Sequence, residues 1–407
     1  MTQPFRPIVL VTGANGGVGF ATCQRLVAQL IQDDPSDAHP RSEDPNFDVG
    51  NAKASPYAGL TLIMACRRRK SAEAAREELL KFLDERVADT PTQRATDFKE
   101  ELKVDIVDLD LGSLKSVFTL ARVLRERYPY ISHLILNAGV ASFRSIDYLA
   151  VARQLFTRGP LDVVTHPDFN IENVGETSAD GLGWVWQCNV FGHYVLARLL
   201  EPLLLSPAYP DDARVIWTSS GEGNPARYDP DDWQLTKTQR SYASSKYQIQ
   251  LVAGALDRKS LEAGGSKRAR HLVSDPGVCY TRVAAALTNI VLETIQYWLY
   301  FVARFFGSPV HTITAYRASI ANVHLALVSL AYLTFWKPSE DQEGGKGLVS
   351  QGYHPLIFHA RTGRWGDELV GPTEVQGWDE HARDVDVLMQ RLEQTYEDAK
   401  QKFAAEI

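Results

Sequence analysis

Short apolar runs alternate with longer segments in which apolar residues recur at helical spacing, from residue 8 to about residue 358. Predicted strands cover 8–11, 60–65, 102–109, 133–136, 214–218, 271–274 and 347–353. Predicted helices cover 17–31, 71–86, 113–127, 182–205, 241–261, 314–336 and 378–403. Alternation of this kind favours a single α/β domain with a doubly wound parallel sheet over two or three separate domains.

Three stretches interrupt the pattern and are predicted to be insertions. Residues 33–58 are polar and rich in Asp and Pro, 141–181 are long and irregular, and 283–311 are apolar. Residues 87–97 are predicted to be a polar linker. We assign 1–368 to the domain and 369–407 to a C-terminal helical extension.

The first predicted strand runs into a glycine-rich turn with the sequence TGANGGVG. Glycines here allow a tight turn and a close approach of backbone to a pyrophosphate, which the N-terminus of the next helix stabilises. A strand before the turn and a helix after it favour a Rossmann-type dinucleotide site over an ordinary turn. The residues predicted to bind the dinucleotide are Thr12, Gly13, Asn15, Gly17, Val18 and Gly19.

The residues after the second, third and fourth predicted strands bear on the choice of cofactor. Arg67 and Arg68 stand where an NAD enzyme usually has a carboxylate, and guanidinium groups suit the 2′-phosphate of NADPH. A solvated basic start to a helix, or a localisation signal, is the alternative. Other predicted cofactor contacts are Asp110 and Leu111, on the adenine side, and Asn137, Ala138 and Gly139.

Tyr242 and Lys246 are one helical turn apart, so a phenol and an ammonium share a helix face. A cation nearby stabilises phenolate, which makes tyrosine usable as a proton donor to a carbonyl oxygen. Ser220 is predicted to hold that oxygen, with Ser219 the less favoured substrate contact. Asn189 is predicted to support a proton relay. A surface pair of Tyr and Lys is the alternative hypothesis.

The sixth predicted strand is followed by Pro276, Gly277 and Val278, which are predicted to pass the nicotinamide. Thr281 is predicted to reach its carboxamide or phosphate, with a generic turn as an equal alternative.

Composition limits the function classes. A net charge of −7 argues against a nucleic-acid binder. The four cysteines have no metal-ligand spacing, so no metal site and a reduced, cytosol-facing protein are predicted. The N-terminal residues contain no apolar signal segment, so secretion is not expected.

Together, the glycine turn, Asn-Ala-Gly, Asn189, Ser220, Tyr242-x-x-x-Lys246 and Pro276-Gly277 resemble the short-chain dehydrogenase/reductase family over about residues 8–358. The segments Trp-Thr-Ser-Ser at 217–220 and Ser-Tyr-Ala-Ser-Ser-Lys-Tyr at 241–247 are similar to the 3-keto-steroid reductases of sterol biosynthesis. That group comprises the fungal ergosterol-pathway enzyme and its animal 17β-hydroxysteroid dehydrogenase type 7 relative.

The narrower resemblance implies NADPH-dependent reduction of the 3-keto group of sterol C4-demethylation intermediates to a 3β-hydroxyl. It also implies two kinds of partner, the sterol C4-demethylation complex and oxidosqualene cyclase. The expected location is the cytosolic face of the endoplasmic reticulum membrane or lipid droplets. The alternatives are a reductase for another lipophilic carbonyl, such as a 17-ketosteroid or a retinoid, and an NADP-binding scaffold.

Peripheral membrane contact is expected through residues 283–306, which are rich in aromatic and aliphatic side chains. Glu293 and Arg304 interrupt this run, so it suits an interfacial lid better than a spanning helix. Residues 320–336 carry no formal charge and are predicted to form a late core helix, with a homodimer face as the alternative.

Overall fold

A computed structural model describes residues 6–39, 59–280, 290–333 and 353–406. Its strands are β1 (Ile8–Thr12), β2 (Leu60–Cys66), β3 (Leu102–Asp108), β4 (His133–Leu136), β5 (Phe143–Ile146), β6 (Asn170–Glu172), β7 (Ala213–Thr218), β8 (Ala269–Asp275), β9 (Leu356–Thr362) and β10 (Glu368–Glu374). Eight of them form one sheet in the order β10-β9-β8-β7-β4-β1-β2-β3, parallel except for the β9–β10 pair. The predicted α/β fold with a doubly wound, mostly parallel sheet is confirmed.

Helices cover both faces of the sheet. They are α1 (Gly17–Leu30), α2 (Arg69–Asp89), α3 (Gln93–Glu101), α4 (Leu114–Arg127), α5 (Tyr148–Arg158), α6 (Pro160–Thr165), α7 (Trp184–Trp186), α8 (Gly192–Leu199), α9 (Glu201–Leu204), α10 (Ser241–Glu262), α11 (Ile290–Phe305), α12 (Ala315–Ala318), α13 (Ile320–Leu327), α14 (Leu330–Leu333) and α15 (Ala382–Lys402). One apolar core packs α4, α8, α10 and α15 against the sheet, and a second packs α1, α2 and α13 on the other face. Every residue of β1, β2, β4 and β7 is buried, as expected for parallel strands covered on both sides.

Two long predicted helices are broken in the structure. The segment predicted as one helix over 182–205 is α7, a π-helical stretch at Gln187–Phe191, α8 and α9. The segment predicted over 314–336 is α12, α13 and α14, and its end lies outside the described residues. Apolar periodicity runs through both segments, so the pattern alone does not show where the backbone hydrogen bonding changes.

The predicted linker at 87–97 is wrong. The helix α2 continues to Asp89, and α3 begins at Gln93 with Thr92 accepting a hydrogen bond from the Ala95 amide. Ala95 and Phe98 are buried on the second core, so tertiary packing stabilises a helix that is polar overall.

The stretch predicted as an irregular insertion at 141–181 is folded. The strands β5 and β6 pair antiparallel, and α5 and α6 connect them. The buried amide of Gln154 donates hydrogen bonds to the carbonyl oxygens of Asp162 and His166, which joins the two helices.

The other insertions and the chain's end differ in how much of them is described. Residues 33–39 pack on α1, whereas 40–58 lie outside the described residues, as do 281–289 of the apolar segment. The strand predicted at 347–353 falls almost entirely outside them, and the last parallel strand is β9. The domain boundary at 368 stays a prediction, and β10, which starts there, belongs to the sheet.

Candidate active site

The carboxyl ends of β1, β4, β7 and β8 meet at one edge of the sheet, because these parallel strands are neighbours. Ligands of open α/β sheets bind outside this edge. We compared the predicted site residues with this edge of the sheet. Each described segment that contains them either follows one of the parallel strands or lies on a helix packed beside these strands.

The glycine turn after β1 is tight. The Gly13 backbone has a positive φ of +69°, and its amide donates a 2.8 Å hydrogen bond to the Ala65 carbonyl of β2. A Cβ on Gly19 would lie 2.4 Å from the Gly13 carbonyl oxygen and 2.5 Å from the Asn137 side-chain nitrogen. Both positions therefore require glycine, one for its conformation and one for the close approach.

The N-terminus of α1 is accessible to a ligand. No side chain caps this helix, and Gly16 and Gly17 are exposed. A Cβ built on Gly16 meets no atom within 4 Å, and Asn15 and Val18 flank this space. Free first-turn amides beside open space fit the diphosphate of a dinucleotide.

The basic residues after β2 lie beside the same turn. The Cys66 thiol accepts hydrogen bonds from the Ala14 and Asn15 amides, so the chain passes the glycine turn just before Arg67 and Arg68. Both arginines are exposed, and neither guanidinium group forms a hydrogen bond or an ion pair with a described residue. They are available to a 2′-phosphate, which fits NADPH.

Asp110 and Leu111 follow β3. The Asp110 carboxylate accepts a 3.0 Å hydrogen bond from the Gly112 amide, and Leu111 is buried with its carbonyl bonded to Gln187. Their contact with adenine stays a prediction.

Thr12 joins the ends of β1 and β4. Its hydroxyl accepts hydrogen bonds from the amides of Asn137, at 2.9 Å, and Ala138, at 3.0 Å. The same oxygen lies 3.1 Å from Nε2 of His193, whose Nδ1 lies 3.2 Å from the Asn189 carbonyl oxygen. Burial lowers the pKa of His193 to about 3, so it links the two neighbours as a neutral ring.

Asn189 lies in the π-helical stretch and binds the segment after β4. Its side chain accepts from the Val140 amide at 2.8 Å and donates to the Val140 carbonyl and the Ser245 hydroxyl, both at 2.9 Å. A Cβ on Gly139 would lie 3.3 Å from the Asn189 oxygen and 3.7 Å from Lys246 Nζ. Asn189 therefore holds Gly139 against the ammonium, and its predicted role in a relay stays a prediction.

Ser220, Tyr242 and Lys246 meet at this edge. The Ser220 side chain interacts with the Tyr242 phenol and lowers its pKa against the larger effect of burial, and Lys246 Nζ lies 5.6 Å from the centre of the Tyr242 ring. The ammonium donates a 2.9 Å hydrogen bond to the Thr218 carbonyl at the end of β7. Burial raises the pKa of Tyr242 and lowers that of Lys246 to about 8.

The two adjacent serines have different partners. Ser219 is buried, donates to the Lys246 carbonyl at 2.9 Å and accepts from the Gln250 side chain at 3.1 Å. Ser220 is only half-buried and faces Tyr242. This arrangement favours Ser220 over Ser219 as the substrate contact.

The turn after β8 has the predicted shape. Gly277 has a φ of +67°, its amide donates to the Asp275 carboxylate at 3.0 Å, and the Val278 amide donates to the Val310 carbonyl at 2.7 Å. Asp275, which precedes this turn, lies 3.5 Å through Oδ2 from a Cβ built on Gly221, and its charge raises the pKa of Tyr242. Thr281 lies outside the described residues.

Two carboxylates near Tyr242 were missed by the sequence analysis. The buried Glu172 of β6 accepts hydrogen bonds from the Ser241 hydroxyl at 2.6 Å and the Tyr242 amide at 2.9 Å. Burial and the neighbouring Glu172 raise the pKa of Glu222 to about 7, and Glu222 in turn raises that of Tyr242. Neither residue belongs to a motif, so only its position in the fold identifies it. His193, also missed, had one available signal: it lies one helical turn after Asn189.

Comparison with known proteins identifies relatives over most of the chain. No family model matches it. It is 30% identical to human 3-keto-steroid reductase/17-beta-hydroxysteroid dehydrogenase 7 over 320 residues, which cover 79% of each protein. It is 30% identical to the 3-keto-steroid reductase of Schizosaccharomyces pombe, over 79% of this chain and 83% of that protein. Identity to the Aspergillus fumigatus 3-keto-steroid reductase is 29%, over 91% of this chain and 82% of that protein.

These relatives all bear the name 3-keto-steroid reductase, and two of them are 30% identical to this chain over about four fifths of each protein. The chain therefore belongs to the 3-keto-steroid reductase family of short-chain dehydrogenases/reductases.

Proposed function

We propose that this protein reduces the 3-keto group of a sterol C4-demethylation intermediate to a 3β-hydroxyl with NADPH. The observation that carries the proposal is the meeting of Ser220, Tyr242 and Lys246 beside a turn built for a dinucleotide. The names of the relatives supply the substrate class.

The direction of the reaction suits the electrostatics of the site. Reduction needs a proton at the carbonyl oxygen, and the Tyr242 phenol, whose pKa burial raises, is protonated at neutral pH and can supply it, although burial makes it a weaker acid than a free tyrosine. Ser220 orients the ketone oxygen next to that phenol. Lys246 is charged below about pH 8 and stabilises the phenolate that remains after donation.

NADPH supplies the hydride when bound. The residues that would hold it are the glycine turn from Thr12 to Gly19, Arg67 and Arg68 at the 2′-phosphate, and Asn137, Ala138 and Gly139 beside the ribose. The ammonium of Lys246, close to Gly139, is placed to contact the ribose as well.

The test is Tyr242→Phe, assayed with a 4-methylated 3-ketosterol and NADPH. We expect turnover to fall by a factor of about 10² to 10⁴, the range for loss of a general acid, with NADPH binding retained. Tyr148→Phe is the control, since this phenol is 70% exposed on α5. Near-normal turnover of Tyr242→Phe would refute the mechanism. Turnover of a 17-ketosteroid is measured in the same assay. Turnover similar to that of the 3-ketosterol would indicate a reductase of broader specificity.

We also propose that the protein contacts the membrane surface peripherally through α11 and α5. Most of the exposed side chains of α11 are apolar and fall on one helix face, with Thr294 and the phenol of Tyr297 also exposed. Its inward side carries polar groups: Gln296 donates to the Tyr300 hydroxyl at 2.6 Å. Outward-facing residues are Ile295, Trp298, Leu299, Val302 and Phe305, continued by Phe306. A helix with its apolar face toward solvent is typical of interfacial contact.

The helix α5 likewise buries a polar side chain and exposes apolar ones. Its one buried side chain is Gln154, while Leu149 and Phe156 are 84% and 87% exposed. The neighbouring α6 packs against α11, so the two apolar surfaces are close together. Among the described residues, no helix is both long and apolar enough to cross a bilayer. The proposed contact favours the cytosolic face of the endoplasmic reticulum or a lipid droplet, where a sterol can reach the site from the lipid.

This contact is tested by flotation with phosphatidylcholine vesicles. Trp298→Ser combined with Phe156→Ser removes two exposed aromatic side chains, and we expect most vesicle binding to be lost while turnover of detergent-dispersed substrate stays. Val387→Ser on α15 is the control, because its side chain is 40% exposed on another element. Equal binding of the double variant and wild type would contradict the proposal.

A further inference from the structure

The last turn of α11 contains an arginine that has no acidic partner among the described residues. Arg304 is only 8% exposed, its Nη1 is buried, and this atom has no hydrogen-bond partner. No ion pair of Arg304 occurs within the described residues, and its nearest ring is Phe301, with the guanidinium carbon 5.0 Å from the ring centre. A buried cation without a counter-charge is costly, so this position requires an explanation.

The guanidinium of Arg317 lies close to that of Arg304. A Cβ built on Gly366, in the turn between β9 and β10, would lie 3.2 Å from Nη2 of Arg317 and 3.7 Å from Nη1 of Arg304. The two cations repel each other, and this repulsion and burial lower the pKa of Arg304. The exposed Arg364 of the same turn lies against Phe305, with its guanidinium carbon 6.0 Å from the ring centre.

Nearby carboxylates do not neutralise this cluster. Glu368 is 3.8 Å from Arg317 Nε but only 2.7 Å from Arg25 Nη2, so its charge is shared. Asp367 packs on Gly363 and forms no ion pair with a described residue. The arginines 304, 317 and 364 therefore give an excess of positive charge around the turn that contains Gly366.

We propose that Arg304, Arg317 and Arg364 bind the phosphate of an anionic phospholipid headgroup. Exposed aromatic side chains next to the arginines favour a lipid as the ligand. Phe305, Phe306 and Trp365 are 51%, 75% and 77% exposed, and the ring centres of Phe305 and Trp365 are 5.8 Å apart. Exposed aromatic side chains lie at headgroup depth, and basic residues beside them attract anionic lipids. Planar guanidinium groups bind phosphate with charge-assisted hydrogen bonds. This inference rests on the proposed membrane contact and adds a lipid preference to it.

The experiment is flotation of the full chain with two kinds of vesicle, phosphatidylcholine alone and phosphatidylcholine with about one fifth phosphatidylserine. We expect wild type to bind the anionic vesicles more tightly. Arg304→Gln should lose about fivefold of that binding, the usual effect of one basic residue near an anionic surface, and bind neutral vesicles as before. Arg383→Gln, an exposed arginine on α15, is the control.

Two further measurements distinguish a loss of lipid binding from a folding defect. Removal of an unpartnered buried charge should leave the Tm of Arg304→Gln equal to or above that of wild type. Arg364→Gln, at an exposed position, should show a smaller loss in the same direction. Equal binding of anionic vesicles by wild type and Arg304→Gln would overturn the inference.

Three further outcomes distinguish this inference from its alternatives. If inorganic phosphate raises the Tm of wild type but not of Arg304→Gln, while both bind anionic vesicles equally, the site takes free phosphate and the lipid assignment is wrong. If wild type binds no vesicle of either kind, the proposed membrane contact itself fails. Binding of both vesicle kinds to the same extent overturns only the lipid preference.

Discussion

At the scale of single residues, the site combines a phenol that burial keeps protonated with an ammonium whose pKa burial has lowered. Both shifts come from the removal of water, which disfavours the charged form of each group. For reduction the neutral phenol is the useful species, whereas Lys246 is useful only when charged. Both useful forms are lost as pH rises, so Lys246, with the lower pKa, sets the alkaline limit of the pH window in which the site works.

The alkaline limit of this window is the first prediction at this scale. Because the pKa of Lys246 is about 8, kcat/KM for ketone reduction should fall as pH rises through about 8. In Lys246→Arg the cation stays charged, so whatever activity remains should persist to higher pH. A pH–rate profile of both proteins between about pH 6 and 10 measures this. A wild-type profile without an alkaline limb would contradict it.

At the scale of elements, the folded insertion between β4 and α7 holds the N-terminus of the catalytic helix. The residue before α10 is Arg240, whose side chain does not cap the helix. Glu172 of β6 takes that role by accepting from the Ser241 hydroxyl and the Tyr242 amide. Arg240 in turn donates to the carbonyls of Asp168 and Asn170, so the insertion and α10 are joined from both sides.

Loss of this cap should affect stability and catalysis together. Glu172→Ala leaves the Tyr242 amide without its partner, and we expect a loss of about 1–2 kcal/mol in the free energy of unfolding. The turnover number should fall because the backbone that carries Tyr242 is less well held. Urea unfolding and steady-state kinetics measure both effects. Glu176→Ala, at an exposed position of the same insertion, should change neither, and a Glu172→Ala protein as stable and active as wild type would refute the cap.

At the scale of the whole molecule, one buried ion pair connects distant parts of the chain. Arg25 of α1 contacts Asp37 through Nε at 2.5 Å and Nη2 at 2.9 Å, and Glu368 of β10 at 2.7 Å. The side chains of Arg25 and Asp37 are 4% and 0% exposed. The pair thus holds residues 33–39 and the outer antiparallel strand against the helix that begins at the glycine turn.

Breaking this pair should destabilise the fold strongly. Asp37→Asn leaves the buried Arg25 guanidinium with the shared Glu368 as its one acidic partner among the described residues, and we expect a loss of about 3–5 kcal/mol in the free energy of unfolding. The matched control is Asp34→Asn, which breaks the exposed pair of His39 and Asp34 in the same segment and should cost at most about 1 kcal/mol. Thermal and urea unfolding distinguish the two. Equal effects of both substitutions would show that the buried pair contributes little.

Much of the site was predictable because its features are local in the sequence. The glycine turn, the Tyr242–Lys246 spacing and Asn-Ala-Gly each depend on a few consecutive residues, and strand order in a parallel sheet then brings them to one edge. The fold class followed from the same alternation of apolar runs. Errors arose where apolar periodicity continued through a change of hydrogen bonding, as at Gln187–Phe191, or where a polar helix such as α3 depends on packing for its stability.

The sequence by itself determined the parallel sheet, the dinucleotide turn and the shared helix face of Tyr242 and Lys246, because each follows from residue type and short spacing. Only the tertiary structure decided that Ser220 rather than Ser219 faces the phenol, that Glu172 caps the catalytic helix, and that Arg304 is buried with no ion pair to a described carboxylate. These are contacts between residues far apart in the chain. No local pattern specifies them, since burial and partner choice depend on how the elements pack.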